Sequence, residues 1–137
     1  MMNIFSFITP FPNVIDSYIN ASIMNKANEK GIVDYNILNL FEYGDSPHYK
    51  IDDYPFGGGD GMVLKPEPVF RAVDKLEEIG KSNKMRVIFP TPDGELFTQG
   101  LAKELVSEKN IVFICGHYKG IDQRVRDNLV TDEISVG

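Results

Sequence analysis

The sequence predicts an α/β fold, a mainly parallel open sheet with helices on both faces, and three observations carry that prediction. Apolar, β-branched runs alternate with amphipathic stretches along the whole chain. The run Ile111-Val112-Phe113-Ile114-Cys115 is apolar at every position, as a strand buried on both faces of a parallel sheet must be. That run and Met85 to Phe89 each end abruptly in a polar loop, at the strand end where open α/β sheets build ligand sites.

Asn3 to Ile8 is a short apolar run stopped by Thr9-Pro10, and it predicts the first strand. Asp16 to Lys30 is helical by composition: Ile19, Ile23, Met24 and Ala27 share a face, and Gly31 is placed as the carboxyl-end cap. Ile32 to Leu40 alternates and predicts a second strand. Phe41 to Gly61 has no period at all, and a loop of that length inside a compact domain is usually functional or mobile. Pro66 to Ile79 is an amphipathic helix, with Val69, Ala72, Val73 and Leu76 on one face and Pro66 in its first turn. Met85 to Phe89 is a third strand, cut by Pro90-Thr91-Pro92-Asp93-Gly94, which reads as a tight turn or as one wall of a pocket. Thr98 to Ser107 predicts a helix, Ile111 to Cys115 the fourth strand, and Asp122 to Asn128 a short helix. Glu133 to Val136 begins a further element.

A chain of 137 residues predicts one domain, residues 1–137, long enough to bury roughly 68–70% of its unfolded surface. One cysteine excludes an internal disulfide and fits a reducing compartment. No run approaches the ~18 apolar residues of a membrane span, and Met1 to Phe11 lacks the basic start of a signal peptide, so a cytoplasmic protein is expected. The net charge of −6 is uneven: residues 1–60 carry −5 and residues 61–137 carry −1. That balance excludes non-specific nucleic-acid binding through a basic surplus. Any nucleic acid must be handled by a local site, or with help from residues elsewhere.

Gly57-Gly58-Gly59-Asp60-Gly61 is either a hinge or a loop that lets backbone approach a ligand. It is no dinucleotide fingerprint, because the spacing fails at Met62, and no Gly-Lys-Ser/Thr follows to make a P-loop. Asp52-Asp53 just before it favours function. Gly116 to Arg124 packs His117, Tyr118, Lys119, Asp122 and Arg124 into a segment pinned by Gly116 and Gly120. Cys115 and His117 raise the possibility of a nucleophile and its base, but Cys115 closes an apolar strand and reads as packing. His48, His117 and one cysteine lack ligand spacing, so no metal is expected. His48 reads as solvated, and Lys75 with Glu78 as a wet helix face.

Taken together, four segments resemble one family, the bacterial tRNA (guanine-N1)-methyltransferases of the knotted SPOUT superfamily. They are Phe11-Pro12, then Asp52-Asp53-Tyr54-Pro55-Phe56-Gly57-Gly58-Gly59-Asp60-Gly61-Met62, Thr91-Pro92-Asp93-Gly94, and Cys115-Gly116-His117-Tyr118-Lys119-Gly120-Ile121-Asp122-Gln123-Arg124-Val125. The tail Glu133-Ile134-Ser135-Val136-Gly137 is similar too, so the likeness runs over essentially the whole chain in order. It implies methyl transfer from S-adenosyl-L-methionine, which leaves as S-adenosyl-L-homocysteine, to N1 of the guanosine 3′ of a tRNA anticodon. It implies a deep trefoil knot around the cofactor and a homodimer with the active site at the subunit interface. By the same likeness Phe89, Thr91 and Pro92 line one side of the cofactor, Gly116, Tyr118 and Gly120 another, and Ser135, Val136 and Gly137 a third. Asp53, Gly57, Gly58, Gly59 and Gly61 would lie near the target base. His117, Lys119, Asp122 and Arg124 would line the guanosine side or brace the loop.

Guanine N1 is protonated and a poor nucleophile, so a general base must take its proton as the methyl arrives. Charge developing at O6 calls for a cation or N–H donor, and Lys119, Arg124 or the glycine-loop amides are candidates. Two departures stand out. The family's usual loop reads Gly-Arg-Tyr-Glu-Gly, whereas Lys119 here reverses the charge beside the base. Family members also continue past the equivalent of Gly137, through the knot to a linker that supplies the catalytic aspartate and an arginine, then to a helical domain that grips tRNA. The expectation is therefore a catalytic domain without its base, an incomplete knot and no C-terminal tRNA-binding domain, inactive alone. The competing readings are a non-catalytic nucleotide-binding or dimerisation module, and a cysteine hydrolase built on Cys115 and His117.

Overall fold

The apolar runs form strands and the amphipathic stretches form helices, in the predicted alternation. The computed structural model describes residues 2–45, 49–53, 63–80, 84–116 and 120–137. In chain order the elements are β1 (Asn3–Thr9), α1 (Pro12–Ile19), α2 (Ser22–Glu29), β2 (Val33–Asn39) and a 3₁₀ turn (Leu40–Tyr43). Next come β3 (Asp52–Asp53), β4 (Val63–Leu64), α3 (Pro66–Gly80), β5 (Arg86–Leu96), α4 (Gln99–Val106), β6 (Asn110–Ile114), α5 (Gln123–Asn128) and β7 (Asp132–Ser135). The main sheet has five strands in the order β2-β1-β6-β5-β7, parallel at every pairing. β3 and β4 form a separate antiparallel pair.

Alternation along the strands splits the core in two. Ile8, Leu38, Val87, Phe89, Val112 and Ile114 point to one face, where α3 lays Val69, Ala72, Val73 and Leu76 and α5 lays Val125. Ile88, Ile111 and Ile134 point to the other, under Leu101 and Leu105 of α4, with Phe5 and Phe113 at its flank. Burying each such Val, Leu or Ile side chain is worth about 1.5–3 kcal/mol, so these two seams hold the helices. Caps fix where the later helices begin. The Thr98 hydroxyl accepts from Leu101 N–H at 3.1 Å, and the Asp122 carboxylate accepts from Arg124 N–H at 2.8 Å.

Two sequence expectations need correction. The single helix expected over Asp16 to Lys30 is two, α1 and α2, broken at Asn20–Ala21 with Ser22 at φ 49°. Ile19 is buried, but Ile23 is 76% exposed, so the supposed common face does not exist. The first helix starts earlier, with Pro12 in its first turn, a position that proline's fixed φ suits. Gly31 does follow α2 as expected, at φ +71°. The second correction is that Pro90 to Gly94 does not end β5. The strand resumes after a register shift: Pro90 and Glu95 both oppose Ile134, and Leu96 opposes Ser135. Residues 91–94 are thus an excursion inside one strand, and Phe97 N–H rejoins the ladder on Ser135 C=O at 2.8 Å.

Candidate functional site

The carboxyl ends of four adjacent strands meet at one edge of the sheet. β6 stays in its ladder through Cys115, whose N–H bonds Ile8 C=O at 2.8 Å, and is released at Gly116. On one side lies Thr9, buried, its hydroxyl accepting from Phe11 N–H at 2.9 Å. On the other lie Phe89 and the 91–94 excursion of β5, then Ser135, Val136 and Gly137 after β7. β5 leads to α4 on one face of the sheet, while β6 leads to α5 on the other. Adjacent strands whose helices depart to opposite faces leave a crevice between them. Of the residues singled out from sequence, Phe89, Thr91 and Pro92 belong to β5, Gly116 follows β6, Ser135 ends β7 with Val136 and Gly137 next, and Gly120 is bonded to Leu64 of β4.

The two loops singled out from sequence are joined at their roots. Leu64 of β4 gives its N–H to Gly120 C=O and takes Asp122 N–H on its own carbonyl, each at 3.2 Å. The same two-residue strand pairs with β3, Asp52 opposite Leu64 and Asp53 opposite Val63. Lys65 N–H closes the foot on Ile51 C=O at 2.7 Å. Leu64 and Ile121 are buried beneath it. The chain on either side of the glycine-rich segment is therefore anchored to the chain that follows Gly116-His117-Tyr118-Lys119-Gly120. Gly57, Gly58, Gly59, Gly61, His117, Tyr118 and Lys119 themselves lie outside the described residues, as does His48.

Asp122 and Arg124 act on each other. Arg124 Nε and Nη2 bind the two oxygens of Asp122 at 2.9 and 2.8 Å, a bidentate pair whose carboxylate is 11% exposed and whose guanidinium is 62% exposed. The hydrogen bonds from Arg124 hold the Asp122 carboxyl below its ordinary range, against the opposing effect of burial. An ionised, doubly bound carboxylate is a poor proton acceptor, so Asp122 positions and does not serve as the base. Burial pushes the Cys115 thiol up to about 11, and among the described residues its sulfur is placed on Phe113 C=O, at 4.0 Å. That removes the cysteine nucleophile at neutral pH. Among the described residues no group of three or more His, Cys, Asp or Glu side chains could hold a metal ion.

A groove of about 460 Å³ runs between α4 and the sheet, lined by Phe5, Ile88, Phe97, Leu105, Phe113 and Ile134 among others. Its lining carries no titratable side chain, so it is a packing surface and the chemistry belongs at the loop end of the strands. Two residues of consequence escaped the sequence reading. Leu64 was signalled by the short apolar pair after the glycine loop. Arg126 of α5 carried no such signal, because its partners, Phe89 and Glu133, come from other strands.

Fold and crevice together define a doubly wound α/β domain with a crevice at the carboxyl ends of β5 and β6. Among such domains, the chain belongs to the tRNA (guanine-1)-methyltransferase family. The model of that family, described as tRNA (Guanine-1)-methyltransferase TrmD, matches residues 2–137. A tRNA (guanine-N(1)-)-methyltransferase of Staphylococcus epidermidis is 51% identical over 131 residues, covering 96% of this chain and 52% of the relative. The protein of the same description from Bacillus subtilis is 49% identical, over 96% of this chain and 54% of its own length. The chain thus spans about half the length of the curated relatives it matches. The crystal structure of tRNA (m1G37) methyltransferase from Aquifex aeolicus superposes with a TM-score of 0.87 at 39% identity, over 100% of this chain and 61% of that one. The α/β fold and the family resemblance read from sequence are both those observed.

Proposed function

We propose that this domain carries the methyl-donor site and part of the guanosine site of a tRNA (guanine-N1)-methyltransferase. The donor is S-adenosyl-L-methionine, released as S-adenosyl-L-homocysteine, and the acceptor is N1 of the guanosine 3′ of the anticodon. The observation that carries this reading is the stitching of Leu64 to Gly120 and Asp122, which anchors the chain after the glycine-rich segment to the chain that follows β6. When bound, S-adenosyl-L-methionine supplies an activated methyl on a sulfonium, which needs no metal to leave.

The chain's own residues bind and orient. Phe89, 8% exposed, offers an apolar wall, and the excursion at Thr91 and Pro92 extends it. Gly116, Gly120 and the Ser135-Val136-Gly137 backbone offer N–H and C=O groups from strand ends, the donor set an adenosine and an amino-acid group would use. Strand-end backbone beside an apolar wall, exposed at Gly116, Val136 and Gly137, fits a nucleoside carrying a charged tail. Tyr118 belongs to the same wall. Asp53, the glycine loop (Gly57, Gly58, Gly59, Gly61), His117 and Lys119 take the base side. Arg124, bound to Asp122, braces the loop and leaves Lys119 and the glycine-loop amides as the donors toward O6. Holding both reactants in line accounts for much of the rate, since well-oriented reactions gain about 7–11 kcal/mol over free collision.

The same reading makes the protein a cytoplasmic homodimer acting on tRNA. In its support, α1 and α2 leave Val14, Tyr18 and Ile23 exposed, apolar surface available to a second copy. No helix of the described residues is long and apolar enough to cross a membrane. The test is methyl incorporation from labelled donor by the full-length polypeptide that carries these residues. A transcript with guanosine 3′ of the anticodon should be labelled, and one with adenosine there should not. Binding of S-adenosyl-L-homocysteine without any incorporation would favour the non-catalytic module instead.

A further inference from the structure

Arg126 lies two residues past Arg124 on α5, yet it turns towards the sheet. Its Cζ stands 5.2 Å from the centroid of the Phe89 ring. Its Nε is 3.4 Å from Glu133 Oε1, and 30% of the side chain is exposed. Phe89 and Glu133 are register partners across β5 and β7. From α5, the helix after residues 116–120, one guanidinium therefore reaches two strands: β5, which carries the 91–94 excursion, and β7, which ends at Ser135. Each of these three elements adjoins one of the segments assigned to the donor pocket.

The guanidinium carbon lies over the Phe89 ring. Nε is buried and has no hydrogen-bond partner among the described residues, the Glu133 contact being an ion pair without hydrogen-bond geometry. Leaving a buried donor unmet costs stability, so a residue kept only to hold the fold together would place it on an acceptor. What the arrangement does provide is a planar, delocalised charge over an aromatic ring, a contact for which arginine is better suited than lysine.

We propose that Arg126 is a positioning residue for the methyl-donor pocket: it presses the Phe89 ring and β7 against α5 and so sets the spacing of the three elements. This rests on the reading of the crevice as the donor site. Arg126 touches no reacting atom and acts through Phe89.

The experiment titrates S-adenosyl-L-homocysteine calorimetrically into the full-length polypeptide, and measures KM for donor and for tRNA, well below the melting temperature of every variant. Arg126→Ala should weaken the homocysteine analogue by roughly three- to thirtyfold, the range a cation over an aromatic ring commands. KM for the donor should rise with it while KM for tRNA stays put. Arg126→Lys, which restores charge near Glu133 without the flat face, should recover little. In a Phe89→Leu background the same Arg126→Ala change should add less than about twofold, because the ring it acts through is gone. Arg126→Met, close in volume, answers the same questions where the alanine variant does not fold. Wild type that binds while Arg126→Ala binds within twofold overturns the proposal. So does an undiminished Arg126→Ala effect in the Phe89→Leu background, or an equal rise in both KM values. Wild type that fails to bind the analogue at all overturns the donor-site reading, and Arg126's role with it.

Discussion

Gly94→Ala tests the joint between β5 and β7 more severely than any other single methyl. A Cβ built on Gly94 would stand 2.5 Å from the carbonyl carbon and oxygen of Glu133 and 2.6 Å from Ile134 N. All three are backbone atoms of β7, so no side chain can swing aside. Carbon contacts are comfortable at about 3.5–4.0 Å, and reaching even a tight contact needs β5 and β7 to part by roughly 0.9 Å. The Phe97 N–H to Ser135 C=O bond, now 2.8 Å, cannot survive that separation. Overpacking a core costs about 1–3 kcal/mol and a lost hydrogen bond about 1 more, so the substitution should cost about 2–4 kcal/mol. Urea unfolding followed by circular dichroism should show the midpoint falling by about 1–2 M with little change in slope. Gly80→Ala is the control, since a Cβ there meets nothing among the described residues within 4 Å, and it should be neutral or slightly stabilising. Because the displaced peptide leads straight to Ser135 and Gly137, donor affinity should fall along with stability. A Gly94→Ala chain within about 0.5 kcal/mol of wild type would refute the packing argument, as that is the ordinary scatter of harmless surface changes.

The Arg86–Asp132 pair, with Nη2 to Oδ2 at 2.6 Å and Nε to Oδ1 at 2.8 Å, should show a pH signature. Its side chains are only 20% and 12% exposed. The hydrogen bonds from Arg86 hold the Asp132 carboxyl below its ordinary value, so the folded state binds its proton less readily than the unfolded chain. That stabilisation is complete above the unfolded carboxyl's pKa of ~3.9 and is lost as pH falls through the lower folded value. Asp132→Asn should therefore cost a constant amount, about 2–3 kcal/mol, from pH 5 to 8, and the deficit should shrink below pH 4. A deficit that grows on acidification would contradict this. The Cys115 thiol, pushed up to about 11, leaves roughly one molecule in three thousand as thiolate at pH 7.5. Alkylation of the folded chain by iodoacetamide should lag a free thiol by orders of magnitude, and Cys115→Ala should keep donor binding. Labelling at the free-thiol rate would show that the sulfur is not buried as described.

What the sequence made legible, and what it hid, divides along a physical line. α3, α4 and α5 are marked by local chemistry, namely Pro66 in a first turn, the Thr98 hydroxyl and the Asp122 carboxylate at caps, and their limits fall within a residue or two of expectation. Strand β6 is marked by an unbroken apolar run, β1 by a largely apolar one, and β2 by alternation. The errors lie where a distant partner decides. Pro90 to Gly94 is good turn chemistry, yet β7 re-engages β5 beyond it, and only the pairing with Ile134 and Ser135 reveals a strand. The break at Asn20–Ala21 follows from packing over β2, where the Tyr35 hydroxyl bonds Met24 C=O at 3.0 Å, which no helical periodicity encodes. The site divides the same way. The crevice residues were visible as strand-end loops, whereas the Leu64 stitch and the Arg126 contact depend on pairings between segments far apart in the chain.

The charge balance takes on a definite meaning once the partners are known. Arginine is the side chain best suited to phosphate, by its bidentate fork. Each of the chain's four arginines stands instead in an ion pair with a carboxylate: Arg71 with Asp45, Arg86 with Asp132, Glu104 and Glu108, Arg124 with Asp122, and Arg126 with Glu133. A guanidinium already neutralised releases few counterions on meeting a polyanion, and counterion release is what drives non-specific grip. With a net charge of −6 besides, the chain offers no basic surplus, and its arginines keep strands and helices in register. On the function proposed above, a guanosine would be recognised by shape and hydrogen bonding, because paired arginines on a net-acidic chain have little to offer the phosphate backbone.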